Sequence, residues 1–184
     1  ELVFIIASAW KKRGELSTNT VVGTKMTNLG MRKALTDNGM NFIEADVGDR
    51  HVMDHLIKNK AILGGEGSGH IICLNKSMSG DGIIAALQIL EIVAKSGQSL
   101  FNLKSEMTKY PQVLINIKTE SKVNLNDSKL LELIGTVESK LSDKGRILVR
   151  ESGTEPLVRV MVECADNALA TESAKQISEA IQSM

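Results

Sequence analysis

The spacing of apolar positions along the chain switches repeatedly between about 3.6 and 2, which predicts helices alternating with strands. Leu2 to Trp10 is a dense apolar run followed by Lys11-Lys12-Arg13 and Gly14. Cations in a last turn and a glycine just beyond it suit a helix C-terminus, so the chain reads as starting inside a helix, with further polypeptide expected upstream. The run is too short to cross a bilayer, and basic residues after rather than before it argue against a signal peptide. Thr20 to Met26 reads as a strand, Gly30 to Asp37 as a helix ended near Gly39, and Phe42 to Ala45 as a second strand. Asp49 to Lys58 fits a short helix, with Val52, His55 and Leu56 at helical spacing, and an extended piece is expected from Ile62 to Leu74. Asp81 reads as the cap of a strong helix whose buried face is expected to be Ile83, Leu87, Leu90 and Ala94. This βαβ series predicts a small parallel sheet.

Past Gly97 the pattern changes, and residues 99–110 read as a linker between a first domain over 1–98 and a second over 111–184. The second part reads strand (Val113 to Lys118), helix (Asp127 to Leu141), strand (Arg146 to Arg150), strand (Val158 to Glu163) and helix (Ala168 to Ile181). In the last helix Ala170, Ala174, Ile177 and Ile181 form the buried face. The predicted fold class is therefore α/β plus α+β. A small parallel βαβ-type domain precedes a βαββα domain with a mainly antiparallel sheet.

Composition adds bounds. The 184 residues have room for one large or two small domains, and a 42% hydrophobic content can fill their cores. Lys+Arg and Asp+Glu are both 22, so no overall charge draws the chain to nucleic acid or to a membrane surface, and recognition must be local. Cys73 and Cys164 are far apart and form no C-x-x-C, which fits free buried thiols in a reducing compartment, the cytoplasm.

Between the second and third strands of the second domain lies Arg150-Glu151-Ser152-Gly153-Thr154-Glu155-Pro156-Leu157-Val158-Arg159. Two guanidiniums, two hydroxyls and a glycine that lets successive N–H groups converge are the ingredients of a phosphate site. Pro156 stiffens the exit. The same residues also fit an ordinary strand-turn-strand with exposed ion pairs.

A second cluster is Gly64-Gly65-Glu66-Gly67-Ser68-Gly69-His70. If extended, Glu66, Ser68 and His70 project on one side, with alternate residues about 6.6 Å apart. That is too far for a Ser-His-Glu hydrolytic triad but suits a carboxylate, a hydroxyl and an imidazole reading the hydroxyls of one sugar-sized ligand. A flexible glycine loop with incidental polar residues is the plainer alternative. Neither a P-loop nor a nucleophile elbow matches the spacing. Asp49 reads first as a helix cap and second as a ligand contact beside Arg50, and Asp81 as a cap. His51 and His55 lie a helical turn apart without a third ligand, so no metal site is assigned to this chain.

Gly65-Glu66-Gly67-Ser68-Gly69-His70, Gly80-Asp81-Gly82 and Gly145 to Glu163 together resemble the third and fourth domains of the α-D-phosphohexomutases, in the right order over nearly the whole chain. Val22 to Gly30 and Val47-Gly48-Asp49-Arg50 are most similar to bacterial members of that superfamily acting on glucosamine phosphates. The resemblance implies a four-domain enzyme interconverting glucosamine 6-phosphate and glucosamine 1-phosphate on the route to UDP-N-acetylglucosamine and peptidoglycan. It implies a phosphoserine on the first domain and Mg²⁺ on the second; neither a Ser-His-Asn-Pro nor an Asp-x-Asp-x-Asp-Arg motif occurs here, so this fragment alone is expected to be inactive. By resemblance, Glu66, Ser68 and Gly69 contact the sugar and His70 assists proton transfer. Arg150, Ser152, Gly153, Thr154 and Arg159 hold the phosphate that does not react. The implied partners are a hexosamine phosphate and the N-terminal domains, with a homodimer compatible and neither nucleic acid nor membrane expected. Gly67 departs from the pattern, standing where those enzymes usually carry Gln or Asn, which leaves open members acting on mannose or glucose phosphates. A non-catalytic phosphosugar-binding module is the other alternative.

Overall fold

Helix α1 (Leu2–Lys12) buries Val3, Phe4, Ile5, Ile6, Ala7 and Trp10, and ends where Arg13 and Gly14 donate back to Ala9 and Lys11. Gly14 has φ +70, a conformation that costs glycine little. These positions come from a computed structural model, which describes residues 1–119, 123–152 and 155–184. Among the described residues, no helix is long and apolar enough to cross a membrane. The chain separates into two compact units, Glu1–Lys109 and Tyr110–Met184.

In the first unit, strand β1 (Thr20–Thr24) is buried along its whole length. It lies between β2 (Asn41–Ala45) and β3 (Leu63–Gly65), both parallel to it. Strand β4 (Ile71–Cys73) pairs antiparallel with β3, giving the order β2-β1-β3-β4. Helices cover both faces, as parallel strands require. Val21 joins a core with Phe4, Trp10, Leu35, Ile89 and Ile92, while the next residue, Val22, joins Val52, Leu56 and Ile72 on the opposite face. The helices are α2 (Leu29–Asp37), capped by the Asn28 side chain, α3 (Asp49–Lys58), α4 (Gly82–Ser96) and the short α5 (Leu100–Leu103). Residues 99–110, read from the sequence as a linker, carry α5, and Met107 is buried in the first unit's core.

Three expectations need correction. The segment from Ile62 to Leu74 is a hairpin, because the Gly69 N–H donates to the Glu66 carbonyl at 3.1 Å and closes a turn. Asp49 does not cap α3: Gly48 occupies the cap position with φ 127, and Asp49 is the first helical residue. Asp81 does cap α4, accepting from the Ile83 and Ile84 N–H groups, but the buried face is Ala85, Ile89 and Ile92. Ile83, Leu87 and Leu90 are 75%, 55% and 62% exposed. The helix is apolar nearly all round, so periodicity alone cannot choose between its two stripes.

In the second unit, β5 (Gln112–Lys118), β6 (Gly145–Glu151) and β7 (Leu157–Cys164) form an antiparallel sheet in the order β5-β7-β6. Helices α6 (Ser128–Leu141) and α7 (Asn167–Gln182) are capped by Asp127 and Asp166. Ala170, Ala174, Ile177 and Ile181 of α7 are buried with Ile117, Val158, Val160 and Val162, the alternate strand residues facing the helices.

Candidate functional site

The β3–β4 turn and the start of α3 bring three ionisable side chains together. Strand β3 stops at Gly65, and the next N–H, that of Glu66, donates to the His70 carbonyl at 2.9 Å, so both side chains stand at the base of one turn. The Glu66 side chain is only 11% exposed, and its Oε1 accepts the Gly48 N–H at 2.9 Å. Burying a carboxylate is costly unless it is hydrogen-bonded, and here the bond ties the Gly48 turn to the hairpin loop. Across that tie, Asp49 Oδ1 lies 3.1 Å from His70 Nδ1, and Glu66 Oε2 lies 3.6 Å from the same nitrogen. Ser68 and Gly69 occupy the exposed tip of the turn, and Arg50 is exposed in the first turn of α3.

Turn formation thus does what an extended segment could not: it draws Glu66 to His70 and sends Ser68 outward. The pairing of Asp49 with His70 escaped sequence reasoning because Asp at a helix start usually caps. The available signal was Gly48, whose left-handed backbone fills the cap position and frees the Asp49 side chain.

Asp49, Glu66 and His70 each offer a ligand atom, and these lie within 4.8 Å of one another. The set does not fit Mg²⁺, which asks for near-octahedral oxygen ligands, because one of its three members is an imidazole nitrogen.

The second cluster is on β6 and β7. Arg150 and Arg159 are direct partners in the antiparallel register, so both side chains leave the same face of the sheet. Burial, together with the charge of Arg159, pushes the Arg150 guanidinium below its ordinary value. Arg159 contacts exposed Glu155 at 3.3 Å, while its buried Nε has no hydrogen-bond partner among the described residues. Ser152 follows the strand, its N–H donating to the Leu157 carbonyl at 2.8 Å. The predicted residues Gly153 and Thr154 lie outside the described residues. Two like charges held side by side, with an unsatisfied donor, form a local field suited to an anion.

A mixed sheet with helices on both faces, followed by a βαββα unit, defines a two-unit α/β plus α+β protein. Residues 1–110 match the model of phosphoglucomutase/phosphomannomutase alpha/beta/alpha domain III, and residues 114–180 match that of the C-terminal domain, domain IV. The chain belongs to the phosphoglucomutase/phosphomannomutase family. It is 60% identical to a phosphoglucosamine mutase of Ruthia magnifica over 179 residues, covering 97% of this chain and 41% of that protein. It is 47% identical to the phosphoglucosamine mutase of Methylococcus capsulatus, covering 98% of this chain and 40% of that protein. The chain thus spans about two fifths of the length of these relatives. Its fold is similar to the Aspergillus fumigatus N-acetylphosphoglucosamine mutase solved with GlcNAc-6P and magnesium, with a TM-score of 0.79 at 18% identity, over 99% of this chain and 43% of that one.

Proposed function

We propose that this chain supplies the sugar- and phosphate-binding half of a phosphoglucosamine mutase interconverting glucosamine 6-phosphate and glucosamine 1-phosphate. The observation that carries the reading is the 60% identity to a phosphoglucosamine mutase over nearly the whole chain. In this reading the first unit is the sugar-binding domain and the second the phosphate-binding domain. Arg150 and Arg159, with Ser152, Gly153 and Thr154, hold the phosphate that does not react. Glu66, which keeps Oε2 and further lone pairs beyond its bond to Gly48, accepts from sugar hydroxyls together with Ser68 and Gly69, and Arg50 flanks them. His70 is the catalytic residue of this chain, moving a proton to or from the reacting sugar oxygen.

The division of labour is physically economical. A substrate that must offer first one end and then the other to a fixed phosphoryl donor needs a clamp on its idle phosphate, and the clamp converts remote binding into positioning. The phosphoryl donor and Mg²⁺ are assigned to the remainder of the full-length polypeptide, in the cytoplasm. A homodimer is compatible with this reading. The test is a mutase assay of the full-length polypeptide with glucosamine, glucose and mannose phosphates. Turnover of glucosamine 6-phosphate that falls at least a hundredfold in His70→Ala supports the assignment. Preference for another hexose overturns the substrate, and undiminished turnover in that variant overturns the site. The second reading, a mutase of glucose or mannose phosphates, is favoured by Gly67, whose missing side chain stands in the sugar loop.

A further inference from the structure

Asp49 begins α3, where a negative charge is favourable, but its carboxylate reaches beyond its own helix. Gly48, at φ 127, takes the cap position and leaves Asp49 as the acidic residue of the first turn. Its carboxylate instead turns to His70, with Oδ1 3.1 Å from Nδ1. Its Oδ2 is 3.7 Å from where a Cβ on Gly80 would stand, so the Gly80 loop approaches it from the other side. The Gly48–Glu66 bond fixes the separation of the two loops, so this contact does not depend on a long side chain finding its partner. Among the described residues, Nε2 of His70 has no hydrogen-bond partner, whereas Nδ1 faces two carboxylates.

The geometry points to Asp49 as a positioning residue for His70, holding the neutral imidazole with its proton on Nδ1 and leaving Nε2 as the lone-pair acceptor for a substrate hydroxyl. A carboxylate can only accept, so the ring nitrogen facing it must carry the proton, and the other nitrogen is then the base. When Nε2 takes a proton from a hydroxyl, the imidazolium carries protons on both nitrogens and Asp49 still accepts the same Nδ1–H. Its charge then stabilises the cation formed, and no proton passes to the carboxylate. Glu66, held by Gly48, adds its charge at 3.6 Å without replacing the shorter contact. Losing Asp49 leaves only the longer Glu66 contact facing Nδ1, so the ring more readily carries its proton on Nε2, which turns the acceptor into a donor.

This inference rests on the sugar-phosphate reading of His70, and its test separates the two. Long-range ¹H–¹⁵N correlation of the His70 ring, at a pH where it is neutral, reads the tautomer directly in the 184-residue chain. The expected result is a predominant Nδ1–H form in the parent chain, loss of that predominance in Asp49→Ala, and recovery in Asp49→Glu. An unchanged tautomer ratio in Asp49→Ala, with backbone amide shifts away from the turn preserved, overturns the proposal. In the full-length polypeptide, Asp49→Ala is expected to lower kcat roughly tenfold or more with little change in KM, and to add nothing further on top of His70→Ala. Independent, multiplicative losses in the double variant overturn it as well. Full turnover in His70→Ala alone defeats the sugar-phosphate reading and leaves the tautomer result standing.

Discussion

Arg150 and Arg159 face each other across the β6–β7 ladder, two guanidiniums on one face of a three-stranded sheet. Like charges directly opposite on a sheet are destabilising, so this pair is a local concession of stability that a bound anion would offset. Replacing Arg150 with Met is therefore expected to leave the chain as stable or slightly more so, within about 1 kcal/mol, while weakening binding of glucosamine 6-phosphate. Loss of one charge-assisted contact of about 1.5–3 kcal/mol corresponds to roughly a ten- to hundredfold rise in Kd. Calorimetric titration and urea unfolding of the same variant check both halves. A variant that loses stability and keeps affinity contradicts the assignment.

Arg146 and Glu163 occupy the equivalent facing position nearer the other end of the same two strands, but with opposite charges and a contact of 2.6 Å. Glu163 is fully buried and the Arg146 side chain is 18% exposed. Removing Glu163 takes a charge-assisted contact from Arg146, and Glu163→Ala is expected to cost about 1.5–3 kcal/mol. The double change to Leu at both positions is expected to recover most of that, because matched apolar groups need no solvation. Urea denaturation of the two variants decides it, and a double variant no better than the single shows the pair is not an isolated unit.

On α4 the two apolar stripes are expected to respond in opposite ways. Ile89→Ala removes a side chain buried to 7% exposure and is expected to cost about 2–5 kcal/mol. Ile83→Ala, at 75% exposure, is expected to stay within about 0.5 kcal/mol of the parent chain. Equal losses in urea denaturation show that both stripes are covered in solution.

This helix also shows where the sequence stops being informative. Local chemistry announced its start, since Asp81 precedes a long apolar run and accepts from two first-turn N–H groups. Its orientation was not legible, because Val3, Phe4 and Trp10, which select the Ile89–Ile92 stripe, come from a helix more than 70 residues earlier. The antiparallel second unit was easier to read: in Leu157–Cys164 alternate residues put Val158, Val160, Val162 and Cys164 on the helix-facing side, and α7 buries the single stripe Ala170–Ala174–Ile177–Ile181. In the first cluster the residue types were legible and their meeting was not. Alternating glycine and polar residues satisfy a strand as well as a turn, and only the bond from Gly69 to Glu66 closes the loop. Asp49 and His70 are 21 positions apart, a distance that β-register rather than local propensity bridges.

Gly67 and Gly30 make a contrasting pair. A Cβ on Gly67 would have its nearest neighbour, the Met26 carbonyl oxygen, at 3.9 Å, whereas one on Gly30 would collide with the Thr108 carbonyl. Gly67→Gln is therefore expected to fold normally, within about 0.5 kcal/mol, and to change the relative kcat/KM for glucosamine against glucose phosphate in the full-length polypeptide. Gly30→Ala is expected to lose about 1–3 kcal/mol through overpacking. Thermal melts rank the two, and an unaltered sugar preference in Gly67→Gln removes that position from specificity.

Cys73 on β4 is a free thiol only 2% exposed, and burial pushes its pKa up from 9.0 to about 11. The sign of the pH effect follows from proton counting. Between those two values the unfolded chain has released the thiol proton while the folded chain keeps it, so the unfolded state binds fewer protons and stability falls as pH rises. The loss is expected to begin near pH 9, reach on the order of 2–3 kcal/mol by pH 11 and flatten beyond. Urea unfolding at a series of alkaline pH values, compared with Cys73→Ala, isolates this group: the alanine variant should be less stable near neutrality, from the cavity, yet show a shallower alkaline decline. Parallel declines in the two proteins assign the alkaline loss to other groups, and rapid reaction of the native Cys73 with a disulfide reagent at pH 8 contradicts its burial as a protonated thiol.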